Sequence, residues 1–586
     1  MNSRQAWSVI LLVLLGAVSA FAQQQAIETK SAERAPISGT VLTRDGEPVG
    51  TAYVSFGRIG STSGSGIVKV EANGSFKSEP LEAGIYRIFA GAPGYISDPQ
   101  TVTAGLYHPG DTVSFQMIRG GVITGKVTNA DNAPVIAAYV RAIRVKDQNG
   151  KPLQFQNIVR ERMTDDRGIY RLYSLVPGSY VVSAGGPARF SGGMPPTQYE
   201  QNAPTYSPAS TRDAALEVTL NNGDEVTMDI QYRGEPGHAV SGAVAGLVDQ
   251  NDPRTTYGAN ISLIDVRTRT ALPAANASSF TKYAFAIYGV PDGEYEITAA
   301  QNTPSRDILS SPPTRITVQG ADVTGINLTV MPAATIEGRV VLEPDPKNSC
   351  AQRRAFALRE TLVAARRFQS EAAPRRTPNT ASQPEVGVLA QYAVSESTVD
   401  GQGAFTLRNL QPGIYKIDPR EPAPGWYFRS ITLGTGPRAP NVARDGINLK
   451  ASERVSGLTL TLTEGAGQLR GRISLPEGQS LPSNLRVYLV PAEKEHAENV
   501  LRFYEGRPEA NGSFTVNNLA PGKYWLLARL SEENEVGITK SIRLDSAFRA
   551  RAFTEAEAGK KEIAFKPCEH IADYDLSYSA PAILRQ

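Results

Sequence analysis

The chain has 586 residues, with 60 Lys+Arg against 58 Asp+Glu, 4 His and 2 Cys. That length exceeds what one hydrophobic core serves and predicts several domains. The near-neutral, mixed charge excludes the electrostatic footprint of a nucleic-acid-binding protein.

Residues 1–22 read as a secretory signal. Arg4 gives a basic start, Val9–Val18 is apolar apart from Gly16, and Ala20-Phe21-Ala22 carries small residues where a signal peptidase reads. Cleavage is predicted between Ala22 and Gln23. The apolar run is shorter than the roughly 20 residues of a spanning helix, no later stretch is long and apolar enough to span, and no lipobox cysteine follows. The expectation is export to the periplasm, the cell surface or the medium, with 23–35 as a linker.

Two phrases then recur five times. Each unit opens with an apolar residue, any residue, Gly, any residue and an apolar residue: Ile37–Val41, Ile123–Val127, Val240–Val244, Ile336–Val340 and Leu469–Ile473. Alternation around a central Gly predicts a half-buried strand with a close backbone approach. A β-rich segment follows: Ala52–Phe56, Ala138–Ile143, Ala259–Ile264, Glu360–Phe368 and Asn484–Val490. The second phrase is aromatic, then Gly, then Tyr at fixed spacing: Phe76–Gly84–Tyr86, Tyr170–Gly178–Tyr180, Phe285–Gly293–Tyr295, Phe405–Gly413–Tyr415 and Phe514–Gly522–Tyr524. Leu81, Leu175, Val290, Leu410 and Leu519 precede these glycines by a constant offset. Turn residues such as Asn73-Gly74 and Pro177-Gly178 separate the segments. The rings and the tyrosines are predicted to pack one core per unit, with each hydroxyl satisfied at its edge.

A further alternating strand closes each unit: Thr112–Ile118, Glu225–Tyr232, Val323–Val330, Val455–Leu462 and Lys561–Phe565. The fold class is therefore all-β, five tandem β-sandwiches, at 36–119, 120–234, 235–334, 335–467 and 468–586, the last with a C-terminal tail. Short junctions predict a semi-rigid rod. Tyr283 stands where the other units have a turn glycine and predicts a longer or bulged hairpin. Residues 545–560 allow one helix, stopped by Gly559.

The opening strand and the hairpin together resemble carboxypeptidase regulatory-like domains, most clearly in Ile123-Thr-Gly-Lys-Val127 with Gly168-Ile-Tyr170 and Leu175-Val-Pro-Gly-Ser-Tyr180. Gly403-Ala-Phe405 with Leu410-Gln-Pro-Gly-Ile-Tyr415 and Gly512-Ser-Phe514 with Leu519-Ala-Pro-Gly-Lys-Tyr524 match similarly. The resemblance covers nearly all of the chain after the signal. It implies that each β-sandwich is of transthyretin-like or Ig-like type, grouped with carbohydrate-binding-like folds, in a secreted bacterial protein. It implies no peptidase activity.

Residues that carry chemistry are sparse. His108, His238, His496 and His570 fall in four different units, with no spacing that converges on zinc. Gly60-Ser-Thr-Ser-Gly64 lacks the elbow of a serine hydrolase and reads as a loop. Asp165 and Asp400 sit in tight turns that explain them without calcium. No catalytic residue, cofactor or metal is expected. Cys350 and Cys568 enter an oxidising compartment, where pairing is favoured; two separate thiols are the alternative, because the residues belong to different units. Trp426 and Tyr427, in Pro424–Arg429, are the candidate contact for a glycan or protein partner. Strand alternation there favours Trp426 and Phe428 packing inward with Tyr427 outward. Arg353, Arg354, Arg359, Arg366, Arg367, Arg375 and Arg376 read as a solvated basic cluster.

The expected function is that of a secreted, non-enzymatic envelope or extracellular spacer, adhesion or binding module. A carbohydrate-binding protein using sandwich loops and exposed aromatics is one alternative; a hydrolase accessory or divergent hydrolase is another. A glycan or an envelope protein is the expected partner, without nucleic acid and without a membrane span after signal removal. The oligomeric state is open.

Overall fold

The computed structural model describes residues 34–578 except 61–64, 99–105, 188–197, 249–257, 278–282, 304–306, 346–349, 351–357, 359–360, 369–393, 421–424, 435, 437, 477–480, 483, 510 and 532–540. The Ala22–Gln23 cleavage pair lies outside the described residues.

Alternating strands bury one face, so each unit needs two sheets packed face to face. The ten sheets supply five such pairs. In the first sheet of each unit the opening strand lies in the middle. The aromatic strand pairs with it antiparallel and the closing strand pairs with it parallel, as in Ser38–Thr43 with Ser75–Lys77 and with Thr112–Arg119. The other units repeat this arrangement. The second sheet pairs the β-rich segment with the Tyr strand, as in Tyr139–Lys146 with Gly178–Ala184.

One apolar cluster lies between the sheets of each unit. Phe76, Tyr170, Phe285, Phe405 and Phe514 are buried there with Tyr86, Tyr180, Tyr295, Tyr415 and Tyr524. The tyrosine hydroxyls avoid the cost of burial by a local bond. Tyr86, Tyr295 and Tyr524 donate to the carbonyls of Glu82, Pro291 and Ala520, four residues back, at 3.0, 2.8 and 2.7 Å, and Tyr180 donates likewise to Val176. Tyr415 Oη accepts from Gln411 N at 3.0 Å.

The two phrases meet in space. The opening-strand glycines pair directly with the aromatic residues: Gly39 with Phe76, Gly125 with Tyr170, Gly242 with Phe285, Gly338 with Phe405 and Gly471 with Phe514. On the other side the closing strand presses a carbonyl against each glycine. A Cβ would lie 1.7 Å from Val113 O at Gly39 and 1.9 Å from Ile326 O at Gly242. No side chain fits there.

Three expectations need correction. The closing strand of the fifth unit is His570–Ser577, inside the expected tail, because it pairs parallel with Gly467–Ser474. Lys561–Phe565 instead contributes Glu562–Phe565 to the second sheet, against Gly522–Leu530. The hairpin expected to be longer or bulged before Tyr283 runs through 278–282, outside the described residues; Tyr283 itself has φ +60°, and its carbonyl accepts from Val244 N at 3.0 Å, as Gly74 accepts from Val41 and Gly512 from Ile473. The helix Ser546–Gly559 forms with Asp545 as N-cap, but its left-handed stop is Lys560, φ +49°. Tyr488, Phe503 and Phe548 seal this helix onto the outer face of the fifth unit.

The third correction concerns shape. An open rod would hold the first and fourth units apart, yet Arg87 of the first contacts Glu396 of the fourth at 2.7 Å, and Thr398 Oγ1 donates to Ile59 O at 3.4 Å. The physical reason lies in side-on joints between successive units. Ser174, Gly289 and Asn409 each have positive φ just before the Leu or Val of the long phrase. Ser174 Oγ accepts from Gly94 N and Asn409 Oδ1 from Ile308 N, in each case from the preceding unit. At Gly289 the backbone packs so closely on Glu200 and Asn202 that a Cβ would lie 2.4 Å from Glu200 O.

Candidate functional site at the joint between the fourth and fifth units

The candidate residues singled out in the sequence gather at one place. Gly425, φ +90°, accepts from Gly465 N and Ala466 N at 2.9 and 3.0 Å, and Cys568 N donates to Gly465 O at 3.0 Å. Cys350 packs on Gly425 and is bonded to Cys568, with Cα atoms 5.4 Å apart. The disulfide thus clamps the end of the fifth unit to the strand entry of the fourth.

Trp426 opens the next strand and is a core residue. It is 5% exposed and Phe428 7%, both in the fourth unit's cluster, while Tyr427 between them is half-buried. Trp426 therefore presents no ring face to a glycan, because strand alternation turns it inward. Burial and the neighbouring Tyr504 push the Tyr427 hydroxyl up, against Arg502. Val500 and Leu501 of the fifth unit complete the same cluster.

Beyond the apolar seam lies a group of charges. Asp418 Oδ2 accepts from Arg366 Nε at 2.9 Å and from Arg420 Nη2 at 2.8 Å. Arg486 Nε of the fifth unit stands 3.6 Å from Glu505 Oε1. Arg543 lies 5.1 Å from the Tyr504 ring centroid and donates to Phe503 O at 2.8 Å. Lys416 Nζ donates to Leu544 O at 2.7 Å, and Arg444 meets Glu498 at 2.7 Å, both across the joint. Burial raises the Asp418 carboxyl against the pull of Arg366 and Arg543. Burial, with Asp418 nearby, pushes Glu505 up to about 7, opposed by Arg486. Since 26% of the Glu505 side chain still reaches water, solvent screens the effect. A carboxyl poised near neutrality has acid–base capacity, but both carboxyls here face arginines, the arrangement of a charged joint.

Arg366 and Arg367 are thus not part of a solvated basic face. Arg366 holds Asp418, and Arg367 Nη2 donates to Pro412 O at 2.7 Å. Arg353, Arg354, Arg359, Arg375 and Arg376 lie outside the described residues. The Arg367 bond is a repeated device missed in the sequence: Arg502 Nη1 caps Pro521 O at 2.7 Å and Arg144 caps Pro177 O, each against the Gly of the long phrase. The insertion between the arginine and the turn varies in length, so no fixed spacing marks it.

The histidines stay apart, as in His238 with Asp292 at 3.2 Å and His108 with Asp111 at 3.8 Å. Glu493, Glu495 and His496 bring ligand atoms within 4.8 Å of one another. They belong to a single 3₁₀ turn and its N-cap, Glu495 exposed and Glu493 and His496 half-buried, so local chain geometry by itself brings them together. Asp400 Oδ1 accepts from Gln402 N and Ala404 N at 2.9 and 2.7 Å, and Asp165 Oδ1 does the same for Arg167 and Ile169. Both carboxylates build their turns.

Fold and joint together define a tandem β-sandwich protein whose units are fastened side to side. Similar solved structures include the Bacillus anthracis TIE protein, 12% identical over 78% of this chain and 74% of that one, TM-score 0.14. GBS52, the minor pilin of Streptococcus agalactiae, is 14% identical over 34% and 96%, TM-score 0.18. BcpA, the major pilin subunit of Bacillus cereus, is 12% identical over 50% and 99%, TM-score 0.13. No family model matches the chain, and no curated protein matches it. Likeness at such identity concerns the fold alone. Among the described residues, no helix is long and apolar enough to cross a membrane.

Proposed function

We propose that the chain is an exported, non-enzymatic spacer and adhesion protein of the envelope or cell exterior, built from carboxypeptidase regulatory-like units. One observation carries this reading: the repeated residues serve cores and joints. The glycine–aromatic pairs close the sandwiches, the left-handed residues Ser174, Gly289 and Asn409 dock each unit on the one before, and Cys350–Cys568 clamps the last two. Such a design fixes the relative placement of surfaces, which is what a presenting scaffold needs.

The test has two arms. Secretion from a bacterial host should yield a mature chain beginning at Gln23. The purified chain should then turn over no peptide, ester or glycoside in a broad panel. Turnover that disappears in Asp418→Asn or Glu505→Gln would replace the scaffold reading with that of a divergent hydrolase.

A further inference from the structure

The second sheet of each unit has an outer face, and four of the five units cover it. Gly178–Ala184 and Leu485–Pro491 are buried at every residue. Glu296, Thr298 and Ala300 are buried in the third unit, Lys416 and Asp418 in the fourth. Among the described residues the first unit differs. Tyr53, Ile67 and Phe89 are 46%, 71% and 59% exposed on three neighbouring strands.

Register places these side chains together. Tyr53 lies opposite Lys69 and Gly91, and Ser55 opposite Ile67 and Phe89. Gly91 lets the Tyr53 ring lie down on the sheet: a Cβ there would be 2.6 Å from the ring's Cζ. The ring thereby has one side on backbone and the other toward water. Lys69 borders the patch on one side. On the other, Arg87 meets Glu396 at 2.7 Å and offers donor and acceptor groups side by side.

We propose that this face is a carbohydrate platform. Tyr53 and Phe89 stack the C–H faces of sugar rings in a polysaccharide, because the electron-rich ring face attracts polarised C–H groups. Lys69, Ser55 and the Arg87–Glu396 pair hydrogen-bond its hydroxyls. Contiguous exposed apolar side chains rimmed by polar groups are often a binding surface. A second copy of the chain is a poorer occupant. Three side chains expose on the order of a few hundred Å², short of the roughly 800 Å² per partner in a stable protein interface. The inference rests on the extracellular placement proposed above and gives that scaffold its ligand class.

Affinity gels loaded with soluble β-glucan, xylan, mannan, pectin or glycosaminoglycan test the proposal on the purified mature chain. At least one gel should retard the wild type. Tyr53→Ala and Phe89→Ala should weaken retardation at least tenfold, while Tyr53→Phe retains it. Both positions are exposed, so unchanged thermal unfolding verifies folding. The proposal is overturned if no polysaccharide retards the chain, if retardation survives both alanine substitutions, or if Tyr53→Ala converts a dimer to a monomer in sedimentation. None of these outcomes depends on secretion or on the hydrolase panel, so the scaffold reading stands or falls separately.

Discussion

Gly471 and Phe514 face each other across the first sheet of the fifth unit, and each dictates the other. A Cβ on Gly471 would lie 2.6 Å from Phe514 Cζ and 2.3 Å from Tyr574 O. The ring fills the space the glycine leaves, while the glycine admits the closing strand's carbonyl. The same pairing in all five units explains why both phrases recur together.

Gly471→Ala should therefore destabilise the fifth unit by about 2–3 kcal/mol, as overpacking of a tight core does. Amide exchange in Gly467–Ser474 measures it. Gly559→Ala serves as contrast: nothing lies within 4 Å of its added Cβ, and a helical Gly→Ala change should stabilise by about 0.5–1 kcal/mol.

Tyr283 holds a conformation that costs an ordinary side chain about 1–2 kcal/mol. Tyr283→Gly should stabilise the third unit by about 1 kcal/mol, read as slower exchange in Ala284–Val290. A loss of stability would mean that the tyrosine side chain outweighs the backbone strain.

Tyr180 separates ring from hydroxyl. Removing the ring in Tyr180→Ala should cost about 3–5 kcal/mol in the second unit. Tyr180→Phe loses only the bond to Val176 O and should cost about 1 kcal/mol. Phe405→Ala should match the larger figure in the fourth unit. Denaturant unfolding followed by unit-resolved exchange distinguishes them, and equal costs for both Tyr180 variants would contradict the assignment.

The Cys350–Cys568 bond spans a sequence separation of 218 residues. On the chain-entropy account such a loop stabilises by roughly 5 kcal/mol. Mass spectrometry of the unreduced secreted chain should recover the two cysteines in one cross-linked peptide pair. Reduction, or Cys350→Ser, should lower the unfolding midpoint of the last two units and leave the first three unchanged.

Glu505 makes the joint sensitive to pH. Its carboxyl titrates near 4.5 when unfolded and near 7 when folded, because burial disfavours the charge. Between those values the folded chain holds the extra proton. This contribution is full below about pH 4.5, declines as pH rises toward 7, and is flat above. Asp418, raised by burial too, acts in the same direction. Glu505→Gln should flatten the fall in thermal midpoint across that window. Parallel slopes in wild type and variant would remove Glu505 as the cause.

The strands of all five units are legible because each is a local pattern. Ile123–Val127 and Tyr170–Tyr180 carry their alternation and turns within a few residues, so unit number, core aromatics and the inward turn of Trp426 follow from spacing. The failures share a different cause. His570–Ser577 looks like a tail until its parallel partner, about a hundred residues earlier, is in place. Arg366 looks solvated until Asp418 approaches from another strand.

The order of residues along the chain, by itself, determined an all-strand protein of five repeated sandwiches, since periodicity and turn chemistry act over short distances. Tertiary structure alone decided which surfaces meet: Arg87 on Glu396, Cys350 on Cys568, and the sheet face left open around Tyr53. Those contacts join side chains hundreds of residues apart or depend on what covers a face, and no local pattern records either.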